Sequence, residues 1–480
     1  MKQLKLIWLL PLLALLLAPS SGFSAPPKKR ANASKECAMC HLRWVDDFDG
    51  SQNKNYLLDF TEDKVVATEM MCYSCHDGSI MDSRLRVWET SRHKEGTDPS
   101  SKITIPETFP LNEKGQLTCA TCHSAHGVDS TTDMGSTIFL RVPNVNSSLC
   151  RQCHSDKDDG VAAGKHPVDV AFDKFPQKIL DFGGKAGKDK TGKKKTVICE
   201  SCHNPHGSTN DHFLVIPNSQ EGVTHSTLCE TCHGVSPDIK STDELRRFSH
   251  PVDVDIIKEA KLPEKWDNGE KPRLAEGRVI NCRTCHSPHN GTKKNHLLVS
   301  NNKQGKLCLT CHTSKKKLLN TKHDLTTNFP DEKNSADQSV AQTGPCFSCH
   351  FMHKGQGPKM WARDVAGQTI EDLCKSCHDK EKVAKHALTG KRSHPVEVAP
   401  SKNIDTGTMP LYSKKGERSA KGNVTCASCH DPHVWSVLSD DRGSKDVQGD
   451  GTNSFLRKAA APSGNLCQSC HVDKKYYSAG

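Results

Sequence analysis

The sequence predicts mainly short α-helices and long loops with little sheet, arranged as an array of repeats rather than a single globule. Three observations predict it. The motif Cys-x-x-Cys-His recurs 12 times with unvarying spacing and consumes all 24 cysteines. The motifs come in pairs, and the first cysteines of successive pairs are separated by 82, 80, 83, 64 and 80 residues. A period of that kind marks a stacked array. Finally, only 34% of the 480 residues are hydrophobic and 5% aromatic, too little to give every repeat a conventional apolar core.

Taken in order, the motifs are Cys37, Cys40 and His41; Cys72, Cys75 and His76; Cys119, Cys122 and His123; Cys150, Cys153 and His154; Cys199, Cys202 and His203; Cys229, Cys232 and His233. They continue with Cys282, Cys285 and His286; Cys308, Cys311 and His312; Cys346, Cys349 and His350; Cys374, Cys377 and His378; Cys426, Cys429 and His430; Cys467, Cys470 and His471. Two cysteines separated by two residues reach both vinyl groups of one porphyrin, and the histidine directly after them lies under the iron. This is the attachment signature of c-type haem. Zinc sites use paired cysteines without needing a histidine after every pair. Redox dithiols have no use for 12 such histidines, and a disulfide framework would tolerate varied spacings. The expectation is 12 covalently attached haems c, one per 40 residues. Haem then supplies much of the buried apolar material, and the apoprotein is expected to be largely unfolded.

Residues 1–24 read as a secretory signal. Lys2 and Lys5 precede an apolar run from Leu6 to Ala18, and small residues follow at Ser20, Ser21, Gly22 and Ser24. The run is short for a membrane span, and no nearby cysteine offers a lipid anchor. An exported chain without a transmembrane segment of its own is expected, periplasmic or associated with the outer membrane or the cell exterior.

Six dihaem units are expected at 25–117, 118–198, 199–281, 282–345, 346–425 and 426–480, packed around a chain of haems. The first motif of a unit usually carries a further histidine three residues on, at His126, His206, His289, His353 and His433. An apolar stretch follows, such as Phe139-Leu140-Arg141-Val142 or Phe213-Leu214-Val215-Ile216. The second motif is commonly introduced by Leu-Cys. After it comes His-Pro-Val at His166, His250 and His394, with His93 and His323 in equivalent places. The motif segments are expected to be short helical turns. The Gly- and Lys-rich stretches between them, such as 183–195, are expected to be solvated loops.

The formal charge of +10 would suit nucleic acid, but it does not survive the cofactors. Removing the signal takes Lys2 and Lys5 and no acid, leaving +8. Two propionates per haem add about 24 negative charges, against about one net positive charge per ferric centre. Nucleic-acid binding is therefore excluded.

The 12 motif histidines are proximal ligands by position. The ten recurring histidines, His93, His126, His166, His206, His250, His289, His323, His353, His394 and His433, are the expected sixth ligands. His212 and His296, in matching places, and the irregular His225 and His386 are candidates for the two irons that remain. The nine methionines follow no repeat, so bis-histidine haem is expected. His123 and His126 cannot bind opposite faces of one haem, because the chain between them is too short to wrap it. His126 must reach another iron, and the two irons lie within roughly 20 Å. The shortfall of two ligands coincides with Trp44, where the extra histidine of unit 1 belongs, and with unit 6, where no histidine follows His471. Either two irregular histidines cross between units, or a terminal-unit iron is open.

This pattern resembles the doubled-CxxCH family of multihaem cytochromes over about residues 37–471. The resemblance rests on Cys-x-x-Cys-His-x-x-His, the paired second motif and His-Pro-Val. It implies a periplasmic, porin-associated or extracellular electron carrier serving external acceptors, with redox protein partners and an outer-membrane porin as a further possible partner. Six-coordinate irons leave no place for substrate, so an electron-transfer conduit is the expected role, not an enzyme. Two other classes stand beside it. A multihaem reductase would need an open iron with proton donors nearby, and a subunit of an extracellular cytochrome filament would polymerise.

Overall fold

The computed structural model describes residues 69–79, 93–124, 139–157, 159–217, 227–234, 248–357, 359–363, 369–387, 393–400, 409–414, 416–440, 443, 448–460 and 465–471. The expected signal segment, Cys37 to His41, Trp44, His126 and His225 lie outside the described residues.

Four first motifs are single helical turns, Cys119–Cys122, Cys199–Cys202, Cys282–Cys285 and Cys426–Cys429. The Ser or Thr before the second cysteine explains them. Its hydroxyl accepts the backbone N–H of the residue before the first cysteine, at 3.0 Å each time: Thr121 from Thr118, Ser201 from Ile198, Thr284 from Asn281, Ser428 from Thr425. One donor that a helix start leaves without an intrahelical partner is thereby satisfied, and all four hydroxyl side chains are buried. In the turn at Cys346–His350, the Ser348 hydroxyl donates instead to the Pro345 carbonyl at 2.8 Å. Second motifs are entered from the N-terminal side by helices, five of them longer, Glu69–His76, Ser148–Cys153, Thr227–His233, Lys306–Cys311 and Ile370–Lys375, and the last a single turn, Asn465–Gln468.

After each first motif the chain reverses, and its apolar stretch returns beside the motif histidine. Backbone bridges join His123 to Leu140, His203 to Leu214, His286 to Leu298, His350 to Trp361 and His430 to Leu456. Sheet is confined to small antiparallel patches. Lys195–Thr196 pairs with both Ala171–Phe172 and Gly187–Lys188, and Val254–Asp255 pairs with Val279–Ile280. The stretch 183–195 is thus more ordered than a solvated loop. Asn146 brackets Lys188, accepting its N–H at 2.9 Å and donating to its carbonyl at 2.8 Å. Gly187 is needed there, since a Cβ would meet Ile198 and Thr196 side chains at 2.5 Å.

The main apolar cluster, Phe175, Ile179, Val197, Val215 and Ile216, sits behind the turn at Cys199–Cys202. It draws on the residue two before that motif and on the returning stretch after it. Such clusters wall a continuous cavity of about 2990 Å³, whose lining runs from His93 to Arg457. Single ligand pockets hold about 300–1,000 Å³, so this space suits several large planar groups. Among the described residues, no helix is long and apolar enough to cross a membrane.

Candidate functional site

Five motif histidines are aimed by their Nδ1–H. His203 donates to the His212 carbonyl at 2.9 Å, His286 to the His296 carbonyl at 3.0 Å, and His350 to the Lys359 carbonyl at 2.8 Å. His378 donates to the Ala387 carbonyl at 3.1 Å and His430 to the Ser454 carbonyl at 3.2 Å. A carbonyl can only accept, so the proton is on Nδ1 and the Nε2 lone pair is free for a metal. Three of these carbonyl acceptors belong to residues in a left-handed bend of the returning stretch, with φ of 57° at His212, 48° at His296 and 62° at Ser454. Non-glycine residues enter that region at a cost, and such strain concentrates at functional sites.

The histidines outside the motifs are aimed in the same way. His166, His250 and His394 donate to the carbonyls of their own following prolines, Pro167, Pro251 and Pro395, at 3.0, 3.0 and 2.9 Å. His323 donates to the Pro432 carbonyl at 3.0 Å, and His433 Nδ1 lies 2.9 Å from Asp431 Oδ1.

Nine histidines outside the motifs each stand opposite one motif histidine. The first-motif pairs are His123 with His206 (ring centres 5.7 Å apart), His203 with His289 (6.0 Å), His286 with His353 (6.2 Å) and His350 with His433 (6.3 Å). The second-motif pairs are His154 with His93 (6.0 Å), and His233 with His166, His312 with His250, His378 with His323 and His471 with His394 (6.2 Å each). Two imidazoles across one iron, with metal–nitrogen bonds of about 2.0–2.1 Å and about 1.1 Å from each nitrogen to its ring centre, stand about 6.3 Å apart. The observed spacings fit that arrangement. Burial lowers the imidazole pKa to about 4 at His289, His323, His350 and His353, leaving the neutral form that binds metal.

The pairing has a direction. A first-motif histidine faces a partner from the following doubled motif, and a second-motif histidine faces one from the preceding doubled motif. The cysteines alternate similarly. First cysteines touch between successive pairs, Cys72 with Cys119, Cys150 with Cys199, Cys229 with Cys282, Cys308 with Cys346 and Cys374 with Cys426. Within a pair the second cysteines are neighbours. Burial, reinforced by the neighbouring thiol, pushes Cys202 (beside Cys232) and Cys285 (beside Cys311) up to about 12. Cys122 with Cys153, Cys349 with Cys377 and Cys429 with Cys470 show the same proximity. The attachment points therefore follow one another in sequence order.

Seven of the nine histidine pairs line the single cavity. Trp266 Nε1, Trp435 Nε1 and Arg363 Nε are buried on its wall without a hydrogen-bond partner, donors suited to carboxylate groups such as propionates. The residues present thus fit haem on ring spacing, tautomer and unpaired donors. Of the irregular histidines, His212, His296 and His386 are exposed, and no described ring pair joins them to a motif histidine. His212 and His296 act through their carbonyls instead. Their matching places mark the bend that aims the proximal ring, a role the sequence pattern signals without naming.

A family model described as the doubled CXXCH motif matches residues 191–236, 274–317 and 339–383. Each match contains one complete motif pair. The chain is also 25% identical over 209 residues to the multihaem cytochrome MtrA of Shewanella baltica (strain OS185), covering 41% of this chain and 43% of that protein. The match spans less than half the length of that relative. No solved structure matches the chain.

Proposed function

This chain is a multihaem c-type cytochrome with doubled CXXCH motifs, and from that premise we propose that it is an exported electron conduit carrying 12 haems c in chain order. The observation that carries the reading is the set of nine histidine pairs at 5.7–6.3 Å, seven of them along one continuous cavity. When bound, haem c supplies a reversible one-electron couple. The chain's own residues do the rest. Each cysteine pair tethers one porphyrin, and the motif histidine holds its iron from one side. At the nine paired sites a histidine of a neighbouring unit would hold the iron from the other side and exclude water and substrate. His41 and His126 are assigned to each other by the same rule, and the six units expected from sequence are the pieces so interlocked.

Proximity supports transfer between successive sites. Phe213 packs between His93 of one site and His203 of the next, with ring centres at 5.0 and 5.7 Å. Phe455 stacks on His323 at 4.1 Å. Redox proteins are the proposed partners, which the likeness to a multihaem cytochrome supports, and the periplasm or an outer-membrane porin is the proposed place where they are met. Pyridine haemochrome absorbance with intact mass should give 12 haems per mature chain and no reactive thiol. Reduction should spread over a broad potential range, because close irons repel each other's charge. Free thiols, or one sharp Nernstian wave, would overturn the conduit.

A further inference from the structure

We propose that the haem tethered by Cys426 and Cys429 and held by His430 keeps an open sixth position that takes a small exogenous lone-pair donor. The inference rests on the reading that the motifs carry haem. His430 is prepared like the other proximal histidines, with Nδ1–H on the Ser454 carbonyl at 3.2 Å and its ring on the cavity wall. It differs in what faces it. Among the described residues, no histidine ring pairs with His430, and the nine repeated histidines described are all matched to other motifs.

The surroundings of this site suit an exogenous ligand. Arg457 donates to the Ala427 carbonyl within the tether turn at 2.7 Å, lies 3.4 Å from Asp431 Oδ2, and donates to the Tyr412 hydroxyl at 3.4 Å. A guanidinium and a phenol able to donate hydrogen bonds thus line the cavity beside one attachment point, with the Asp431 carboxylate accepting from the guanidinium, polar groups that suit a small ligand at an open iron. The site is also wired. Cys426 touches Cys374, Cys429 neighbours Cys470, and His430 is an electrostatic neighbour of His378. It lies between the His378 and His471 sites in the order of attachment points, so electrons reach it from either side.

The test uses the full haem-loaded chain and carbon monoxide as probe. The reduced native protein should bind carbon monoxide at a small fraction of its haems, and His430→Met, by changing the trans ligand, should shift a carbonyl stretching band. No carbon monoxide binding, or a band that stays in place in His430→Met, overturns the proposal. Should that variant not mature, near-infrared magnetic circular dichroism of the ferric native protein decides. A bis-histidine count below the pyridine haemochrome count supports an open iron, and equal counts overturn it. Absence of haem altogether would overturn the conduit reading as well, so the two failures are distinguishable.

Discussion

Pro167, Pro251 and Pro395 each turn a carbonyl onto the Nδ1–H of the histidine before them, which gives the repeated His-Pro-Val a physical meaning. The proline, lacking an N–H and fixed in φ, holds an acceptor where a ligand histidine needs one. Backbone and side-chain roles separate cleanly at His206 and His212. His206 presents its ring to His123, whereas His212 offers its carbonyl to His203. His206→Ala should therefore add one carbon-monoxide-reactive haem per chain over the native level. His212→Ala should add none, since any residue in that bend keeps the carbonyl. Gain of a reactive haem in His212→Ala would show that the ring is a ligand after all. The direction of pairing also revises the expectation attached to Trp44. If the pairing seen at His206, His289, His353 and His433 extends to unit 1, a histidine in place of Trp44 would serve a site before its own unit, and Trp44 would remove no ligand from it. Trp44→His should leave carbon monoxide uptake of the native protein unchanged, and a decrease would mean that pairing in unit 1 runs the other way.

At the scale of elements, the pairs fall into two geometries. First-motif rings are nearly parallel, at 25°, 30°, 26° and 15°. Second-motif rings are crossed at 86°, 70°, 85° and 64°, except for His93 with His154 at 30°. Parallel imidazoles split the iron dπ orbitals, whereas crossed ones leave them nearly degenerate, and axial-ligand arrangement tunes the centre accordingly. Ferric electron paramagnetic resonance should resolve two low-spin populations of comparable size, one rhombic and one with a large maximal g value. A single rhombic class would contradict the crossed pairs. The sequence made the elements legible because motif, offset and period are local. It did not reveal which iron each histidine serves, since that depends on neighbouring units stacking. The impossibility of His126 sharing a haem with His123 was readable from chain reach, but the choice between the earlier and the later neighbour was not.

In the whole molecule, each described junction between successive motif pairs is crossed by histidines running in opposite directions, as with His206 toward His123 and His166 toward His233. Units linked this way should fold as coupled neighbours. They have little else to hold them. The buried hydrophobic residues form small clusters behind the motifs, and the cavity they wall measures about 2990 Å³. Apolar walls left without a filling group forgo their packing contacts and their burial from water, and small clusters cannot offset the entropy of ordering so long a chain. The chain should not keep this shape without haem. Produced without the haem-attachment machinery and kept reduced, it should show a disordered far-ultraviolet circular dichroism spectrum and no cooperative thermal transition, whereas the haem-loaded protein should melt cooperatively. A sharp melt of the haem-free chain would mean that the polypeptide builds the fold unaided and that the clusters behind the motifs are stronger than their size indicates.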